Sequence, residues 1–232
     1  MTGTDYPTPM RGREQPTRQE VLHLPQLQVL NHPVAASLVT ALRDVRTPSR
    51  DFAGTIHALT RFLLWQALEE TETVMVDVPG HAGPVTGHQL VGGIAGVAVL
   101  RAGLSMIEPL RQIIPSAPGY LIGVRRDEAT LEPSVYYANL PASFDDVEQV
   151  LLLDPMLATG GSTIAALRII RAAYSGNISC LAMLGAPVGV QRLIDTDPSV
   201  RVYLAALDER LDERGFILPG LGDAGDRIFD TS

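Results

Sequence analysis

The chain has no lysine: every one of its 18 Lys+Arg residues is arginine. It has one cysteine, one tryptophan and an aromatic content of 5%. The missing lysine excludes a P-loop, which needs that residue after its last glycine to reach nucleotide phosphates. A lone cysteine excludes an internal disulfide, and Cys180 stands in an apolar run where an inert buried thiol is expected. No apolar stretch reaches the length of a membrane span, and the N-terminal MTGTDYPTPMRGREQ lacks the apolar core of a signal peptide. A cytoplasmic protein without membrane attachment is expected. Excess positive charge is missing too. A formal net charge of −8 argues against broad binding of nucleic acid or anionic membrane, so any anionic ligand must be met by local arginines. Arg101, Arg125 and Arg126 stand beside glycines or at the ends of expected strands.

What is present suits a large core: 232 residues, 46% of them hydrophobic, fold without staples. Residues 1–20 are rich in Pro, Thr, Arg and Gly without apolar period, which predicts a mobile arm without chemistry; residues 21–232 are expected to form a single domain. Pro33 is expected to open a helix with Val34, Leu38, Leu42 and Val45 on one stripe. Ser49 is expected to cap a second, with stripe Phe52, Ile56, Leu59 and Leu63. Two helices before any strand suggest an N-terminal cover or a subunit contact. From Thr73 onward the short apolar runs VMVDV, GVAVL, GYLIGV, QVLLL, SCLAML and VRVYLAA appear, with helical stretches near Leu104–Ile114, Ser162–Ala173 and Val188–Asp195 between several of them. This alternation predicts an α/β protein with a mostly parallel sheet and helices on both faces. Ligands of such folds bind beyond the carboxyl ends of the strands, where Arg101, Arg126 and Asp154 fall. His81 and His88 have no further metal ligands at suitable spacing and are expected on the surface of a turn. Leu131–Leu140 reads as a hairpin arm whose Tyr136 and Tyr137 form either a packed face or a flexible flap.

The most informative stretch is Gln149–Arg171, QVLLLDPMLATGGSTIAALRIIR. An apolar strand ends at the carboxylate of Asp154, and Ala158, Thr159, Gly160, Gly161 and Ser162 lead into a helix. Backbone N–H groups and the positive end of a helix dipole converge there, which suits a phosphate, while an ionised carboxylate beside it accepts hydrogen bonds from sugar hydroxyls. A sugar phosphate fits both. The same spacing suits an ordinary strand-to-helix turn with Ser162 or Thr163 as N-cap. The G-x-G-x-x-G match at Gly220–Gly225, GLGDAG, opens no evident helix after a strand, so a dinucleotide site is not expected.

DPMLATGGS resembles the phosphoribosyl pyrophosphate (PRPP) loop of the uracil phosphoribosyltransferases, members of the type I phosphoribosyltransferases. VLRAGLSM (Val99–Met106), RDEATLEP (Arg126–Pro133) and GFILPGLGDAGDRIF (Gly215–Phe229) match the same family in order, so the resemblance spans roughly Asn31 to Thr231. It implies the type I fold with N-terminal helices, a hairpin arm at residues 131–140 and a small base-binding hood at residues 208–232. It also implies transfer of a 5-phosphoribosyl group from PRPP to N1 of uracil, giving UMP and pyrophosphate. On that resemblance Ala158–Ser162, with the neighbouring Pro155, Met156 and Leu157, would hold the 5-phosphate. Asp154 would hold the ribose hydroxyls, and Arg101 and Arg126 the pyrophosphate. Ile217, Gly222, Asp223 and Ala224 would form the uracil pocket, with Asp223 the ionisable group near N1. Asp154, Arg126 and Asp223 are the expected catalytic residues. Arg101-Ala102-Gly103 matches a turn where the family has a non-proline cis peptide. Mg²⁺ is expected to arrive with PRPP, held by ligand oxygens and water and not by a protein metal site. A homodimer or larger homo-oligomer is implied. The chain departs from the family at Trp65, Gln66, Arg125, Asn139, Val188 and Asp230. The acceptor could therefore be another heterocyclic base, or the chain a PRPP- or nucleotide-sensing regulator.

Overall fold

The computed structural model of the chain describes residues 15–126 and 133–231, Arg126 by its backbone alone. The strands are β1 (Leu27–Val29), β2 (Thr73–Gly80), β3 (Gly83–Leu90), β4 (Gly93–Leu100), β5 (Gly119–Arg126), β6 (Pro133–Asn139), β7 (Val147–Leu153), β8 (Met156–Leu157), β9 (Asn177–Gly185), β10 (Arg201–Leu207), β11 (Arg210–Leu211) and β12 (Ile217–Leu218). The helices are α1 (Arg18–Leu22), α2 (Pro33–Arg43), α3 (Ser49–Ala67), α4 (Ile107–Ile113), α5 (Gly161–Ala173), α6 (Pro187–Thr196) and α7 (Ala224–Phe229), and a 3₁₀ turn, Ala102–Met106, leads into α4.

The main sheet runs β1-β10-β9-β7-β4-β5-β6, with β8 beside the end of β9. Every pairing in it is parallel except β5 with β6. Helices cover both faces, which is why Val150–Leu153 is a continuous apolar run without alternation. On one face Leu152, Cys180 and Val202 pack with Ile164, Leu167 and Ile170 of α5 and Leu193 of α6. On the other, Leu151, Leu153, Leu181 and Tyr203 pack with Phe52, Ile56, Leu59 and Leu63 of α3. The expected fold class and the α3 stripe both hold.

Several local expectations change. A strand does precede the two N-terminal helices: β1 pairs with β10 through Leu27↔Val202, but three residues are too few to show a period. Residues 1–14 of the expected arm lie outside the described residues; from Thr17 the chain is fixed to the body. Thr17 and Glu20 form a capping box for α1, Val21 is fully buried, and Arg18 Nε donates to the Leu207 carbonyl at 2.9 Å. The buried stripe of α2 is Ala35, Val39 and Leu42, whereas Val34 and Val45 face solvent, because alanine lets the helix approach its neighbours closely. Ser49 is the first residue of α3 and not its cap; Pro48 holds that place and has no side-chain acceptor.

The VMVDV run does not join the main sheet. β2 pairs only with β3, from Thr73↔Leu90 to Gly80↔Gly83, in a separate two-stranded hairpin with His81 in its turn and His88 exposed on β3. A tight local turn lets the two segments pair with each other before either reaches the sheet. The segment expected as a hairpin arm supplies β6, the antiparallel edge strand of the main sheet; its residues 131 and 132 lie outside the described residues. Tyr136 and Tyr137 are both exposed on that strand, with the Tyr136 ring lying directly over Gly123.

The chain reverses after α7 at Asp230, whose φ of 54° and ψ of 49° place it in the left-handed region. Asp and Asn tolerate this conformation better than other side chains, and glycine better still. Asp230→Gly should therefore keep unfolding stability within ~1 kcal/mol of wild type, whereas Asp230→Val should lose ~1–2 kcal/mol. Urea unfolding of both variants checks this, and equal losses would reject the conformational explanation.

Candidate active site

The carboxyl end of β7 delivers Asp154 to the edge of the sheet, and β8 carries the chain from there to the loop Ala158–Gly160. Gly160 is the N-cap of α5 with φ 77°, a turn that a residue with a Cβ adopts only under strain. Neither Ser162 nor Thr163 is the cap: that place falls to Gly160, which has no side chain, and the Gly161 N–H donates to the Thr159 hydroxyl at 3.4 Å. The first N–H groups of α5 have no intrahelical partners, and the dipole of this helix adds positive potential at the same place. From behind, Arg192 of α6 donates to the Thr159 carbonyl at 2.6 Å and braces the loop.

Asp154 is nearly buried, at 8% exposure. Its Oδ2 accepts from the Thr163 hydroxyl at 2.9 Å and its Oδ1 from the Met156 N–H at 3.4 Å. Burial outweighs these two donors and raises the carboxyl to about 6. Burial, with the Asp154 charge second, also pushes the Cys180 thiol up, as suits the inert thiol expected from its apolar surroundings.

Across the cleft, the turn after β4 presents Arg101, and the Leu100–Arg101 peptide is cis at the turn where the resemblance implied one. Arg101 Nη2 pairs with Asp226 Oδ1 at 2.9 Å, and Nη1 lies 3.5 Å from the Thr231 hydroxyl. The third wall is the segment after β10. Antiparallel β11 and β12 form a short hairpin, and the loop after β12 leads into α7. GLGDAG thus does open a helix, though one of six residues: Asp223 caps it, accepting from the Asp226 N–H at 3.0 Å.

These walls enclose a cleft of about 370 Å³. Arg101, Asp154, Met156, Ala158, Thr159, Gly160, Gly161, Ser162, Ile217, Gly222, Asp223 and Ala224 all line it. Pro155 and Leu157 do not. The Pro155 carbonyl accepts from the N–H groups of Met183 and Leu184, and the Leu157 side chain is buried in the core, so both fix the loop from inside the sheet. The Arg126 side chain and residues 127–132 of the RDEATLEP segment lie outside the described residues; Pro133 lines the cleft. Sequence reasoning missed Thr163, Arg192, Arg214 and Phe216. Thr163 was detectable, because the first turn of a helix that follows a strand end folds back over that end. Arg214 and Phe216 were detectable too, as they stand within three residues of Ile217, whereas Arg192 reaches the loop only through tertiary packing.

Residues 29–231 match the family model described as uracil phosphoribosyltransferase. A uracil phosphoribosyltransferase from Roseiflexus castenholzii (strain DSM 13941 / HLO8) is 42% identical over 208 residues, covering 89% of this chain and 99% of that protein. One from Dictyoglomus thermophilum (strain ATCC 35947 / DSM 3960 / H-6-12) is 41% identical over 204 residues, covering 88% and 98%. Among solved structures, the AQ2163 protein from Aquifex aeolicus superposes with a TM-score of 0.83 at 33% identity, over 89% of this chain and 99% of that one. An adenine phosphoribosyl transferase from Trypanosoma brucei, in complex with AMP, pyrophosphate and ribose-5-phosphate, shares the fold alone, with a TM-score of 0.53 at 13% identity over 91% and 92% of the two chains. The architecture is the type I phosphoribosyltransferase fold, and the chain belongs to the uracil phosphoribosyltransferase family.

Proposed function

We propose that this chain transfers the 5-phosphoribosyl group of PRPP to N1 of uracil, giving UMP and pyrophosphate. The observation that carries this reading is a single cleft that joins a phosphate-type loop, Ala158–Ser162, a buried carboxylate, Asp154, and a backbone-lined slot at Ile217 and Gly222–Ala224. The loop N–H groups and the positive end of α5 hold the 5-phosphate. Asp154 accepts from the ribose hydroxyls, and Arg101 and Arg126 meet the pyrophosphate, each charge-assisted bond contributing about 1.5–3 kcal/mol. The bond from the anomeric carbon to pyrophosphate breaks with its electron pair leaving on oxygen, N1 bonds to the opposite face, and the N1 proton passes toward Asp223. Catalysis rests on positioning and on electrostatic support of the departing pyrophosphate, more than on a strong acid or base.

Among the described residues no group of three His, Cys, Asp or Glu side chains stands together as a metal site. Asp154 beside the phosphate loop suits an Mg²⁺ held through PRPP oxygens and water, which would supply charge neutralisation to the leaving group. A cytoplasmic place is part of the same proposal; no helix among the described residues is long and apolar enough to cross a membrane. We also propose a homodimer or larger homo-oligomer. The β2–β3 hairpin exposes Val74, Met75, Val78 and Val85, and Trp65 of α3 is 73% exposed beside an apolar groove lined by Leu30, Phe62 and Leu90. A two-stranded hairpin is marginal by itself in water and gains stability from a covering surface, here a second copy. Sedimentation at micromolar concentration should show a dimer or larger, and a monomer alone would reject this assembly.

Asp154 gives a prediction in which activity and stability move oppositely. Its folded carboxyl titrates near 6, above the ordinary value of 3.8. The stability that the protonated form contributes is complete below about pH 4 and is lost as pH rises through about 6. Asp154→Asn should thus be more stable than wild type above pH 6, by up to ~3 kcal/mol, with the gain vanishing below pH 4. Its kcat/KM for PRPP should nevertheless fall steeply, and the wild-type loss of kcat/KM below about pH 6 should disappear from its profile. Unfolding curves at pH 4 and 8 with steady-state rates check both; unchanged kcat/KM would remove Asp154 from the site.

The acceptor is tested by a panel of bases with PRPP and Mg²⁺. Backbone groups at Gly222 and Gly225, both in the cleft lining, suit the donors and acceptors of uracil O2, N3 and O4, whereas the N–H and carbonyl of Gly220 are taken by Asp208 and Arg43; cytosine reverses uracil's pattern, at a cost of ~1–3 kcal/mol per unpaired group. Uracil should be preferred by a large factor. Asp223→Asn should depress turnover while calorimetry shows PRPP still bound, since asparagine caps α7 as well as aspartate does. Equal use of cytosine, or loss of PRPP affinity in Asp223→Asn, would refute this placement of the base; PRPP binding without consumption of any base would favour the sensor instead.

A further inference from the structure

The slot at Ile217 and Gly222–Ala224 belongs to a loop outside the main sheet, so something other than sheet hydrogen bonds must hold its shape. Asp208, directly after β10, is 4% exposed although it carries a carboxylate. Arg43, in the last turn of α2, meets it with both ends of its guanidinium: Nη1 donates to Oδ2 at 2.9 Å and Nη2 to Oδ1. The pair encloses one loop residue. The Gly220 N–H donates to Asp208 Oδ2 at 2.9 Å, and the Gly220 carbonyl accepts from Arg43 Nη1 at 2.9 Å. Gly220 has φ +65°, and a Cβ there would meet the Ile217 carbonyl oxygen at 2.1 Å, so the residue is fixed in a conformation and a space that only glycine fills. A second arginine ties the far end of the loop to the same helix end. Arg227 donates to the carbonyls of Leu42, Leu221 and Asp44, and its guanidinium lies 4.2 Å from the Phe52 ring centroid. Helix C-termini leave their last carbonyls without intrahelical partners, and Arg227 satisfies two at the end of α2 while holding Leu221.

We propose that Arg43 and Asp208 are positioning residues for the base: they touch Gly220 and not the cleft, and they set the path of the main chain that reads the acceptor. The N-terminal helices then do more than cover the sheet. The C-terminal end of α2 is the post to which the base slot is tied, while the phosphate loop is built from β7, α5 and α6 without it. Disturbing the pair should therefore loosen uracil and leave PRPP alone. A bidentate guanidinium–carboxylate pair has a fixed planar geometry that lysine does not reproduce.

The inference rests on the uracil-transfer reading, and full-chain steady-state kinetics separates the two. The variants are Arg43→Lys, which keeps the charge but loses the fork, and R43Q/D208N, which removes both charges without stranding one of them in the interior. Arg46→Ala, at a side chain on the surface, is the control expected to match wild type. In R43Q/D208N the uracil KM should rise about tenfold or more, with the PRPP KM held within about twofold; Arg43→Lys should fall between it and wild type. A merely structural pair would raise both KM values together or lower only the yield of folded protein. If R43Q/D208N shows no cooperative melt, Arg43→Lys decides by the same ratio. Equal rises for both substrates, or an unchanged uracil KM in folded protein, would overturn the proposal while leaving wild-type uracil turnover intact. Wild-type protein that transfers nothing to uracil would overturn the parent reading and this inference with it.

Discussion

Burying a carboxylate is unfavourable, and the end of β7 does so at Asp154, which has no cationic partner among the described residues. Two donors, the Thr163 hydroxyl and the Met156 N–H, compensate only in part. Much of the surrounding structure keeps that arrangement in place. Parallel strands on both sides of β7 prevent the chain end from swinging into water, and α5 and α6 pack the loop against the sheet from one face. A carboxylate so confined meets a ribose with its acceptors already aimed, and little reorganisation remains for the moment of binding.

The two halves of the cleft are held by different means. The phosphate half grows directly from the sheet, through β7, β8, the Gly160 turn and the start of α5. The base half leaves the sheet after β10 and passes through the short β11–β12 hairpin to α7. Its fixed points are side chains: Asp208 and Arg43 at Gly220, and Arg227 at Leu221 and the end of α2. Arg101 joins the halves, standing after β4 and pairing with Asp226 of α7. In the family reading, the ligand that has least charge to recognise is thus met by the part of the cleft that depends most on long-range side-chain anchoring.

Positions where the chain departs from the family's usual residues mostly lie away from the cleft lining. Asp230, one of them, sits at a left-handed helix end that aspartate tolerates. Trp65 stands on an exposed face of α3, Val188 is buried at the start of α6, and Asn139 ends the edge strand β6. Arg125 is exposed on β5 beside Arg126. None of these five lines the cleft.

The sequence by itself determined the parallel sheet, the α3 stripe and the strand–loop–helix around Asp154, because each depends on contacts close in the chain or on a continuous apolar run that only a doubly covered sheet accommodates. DPMLATGGS was legible for the same reason: its glycines, hydroxyls and carboxylate are neighbours in sequence and remain neighbours in the cleft. The tertiary structure alone decided which face of α2 is buried, that VMVDV pairs in a separate hairpin, that three residues at Leu27–Val29 form a strand, and that Pro155 and Leu157 support the loop from inside the core. It also decided the partners Arg43 and Asp208, 165 residues apart. A buried ion pair of that kind leaves no local pattern in a sequence, since its geometry exists only once a helix end and a strand end have been brought together by everything folded between them.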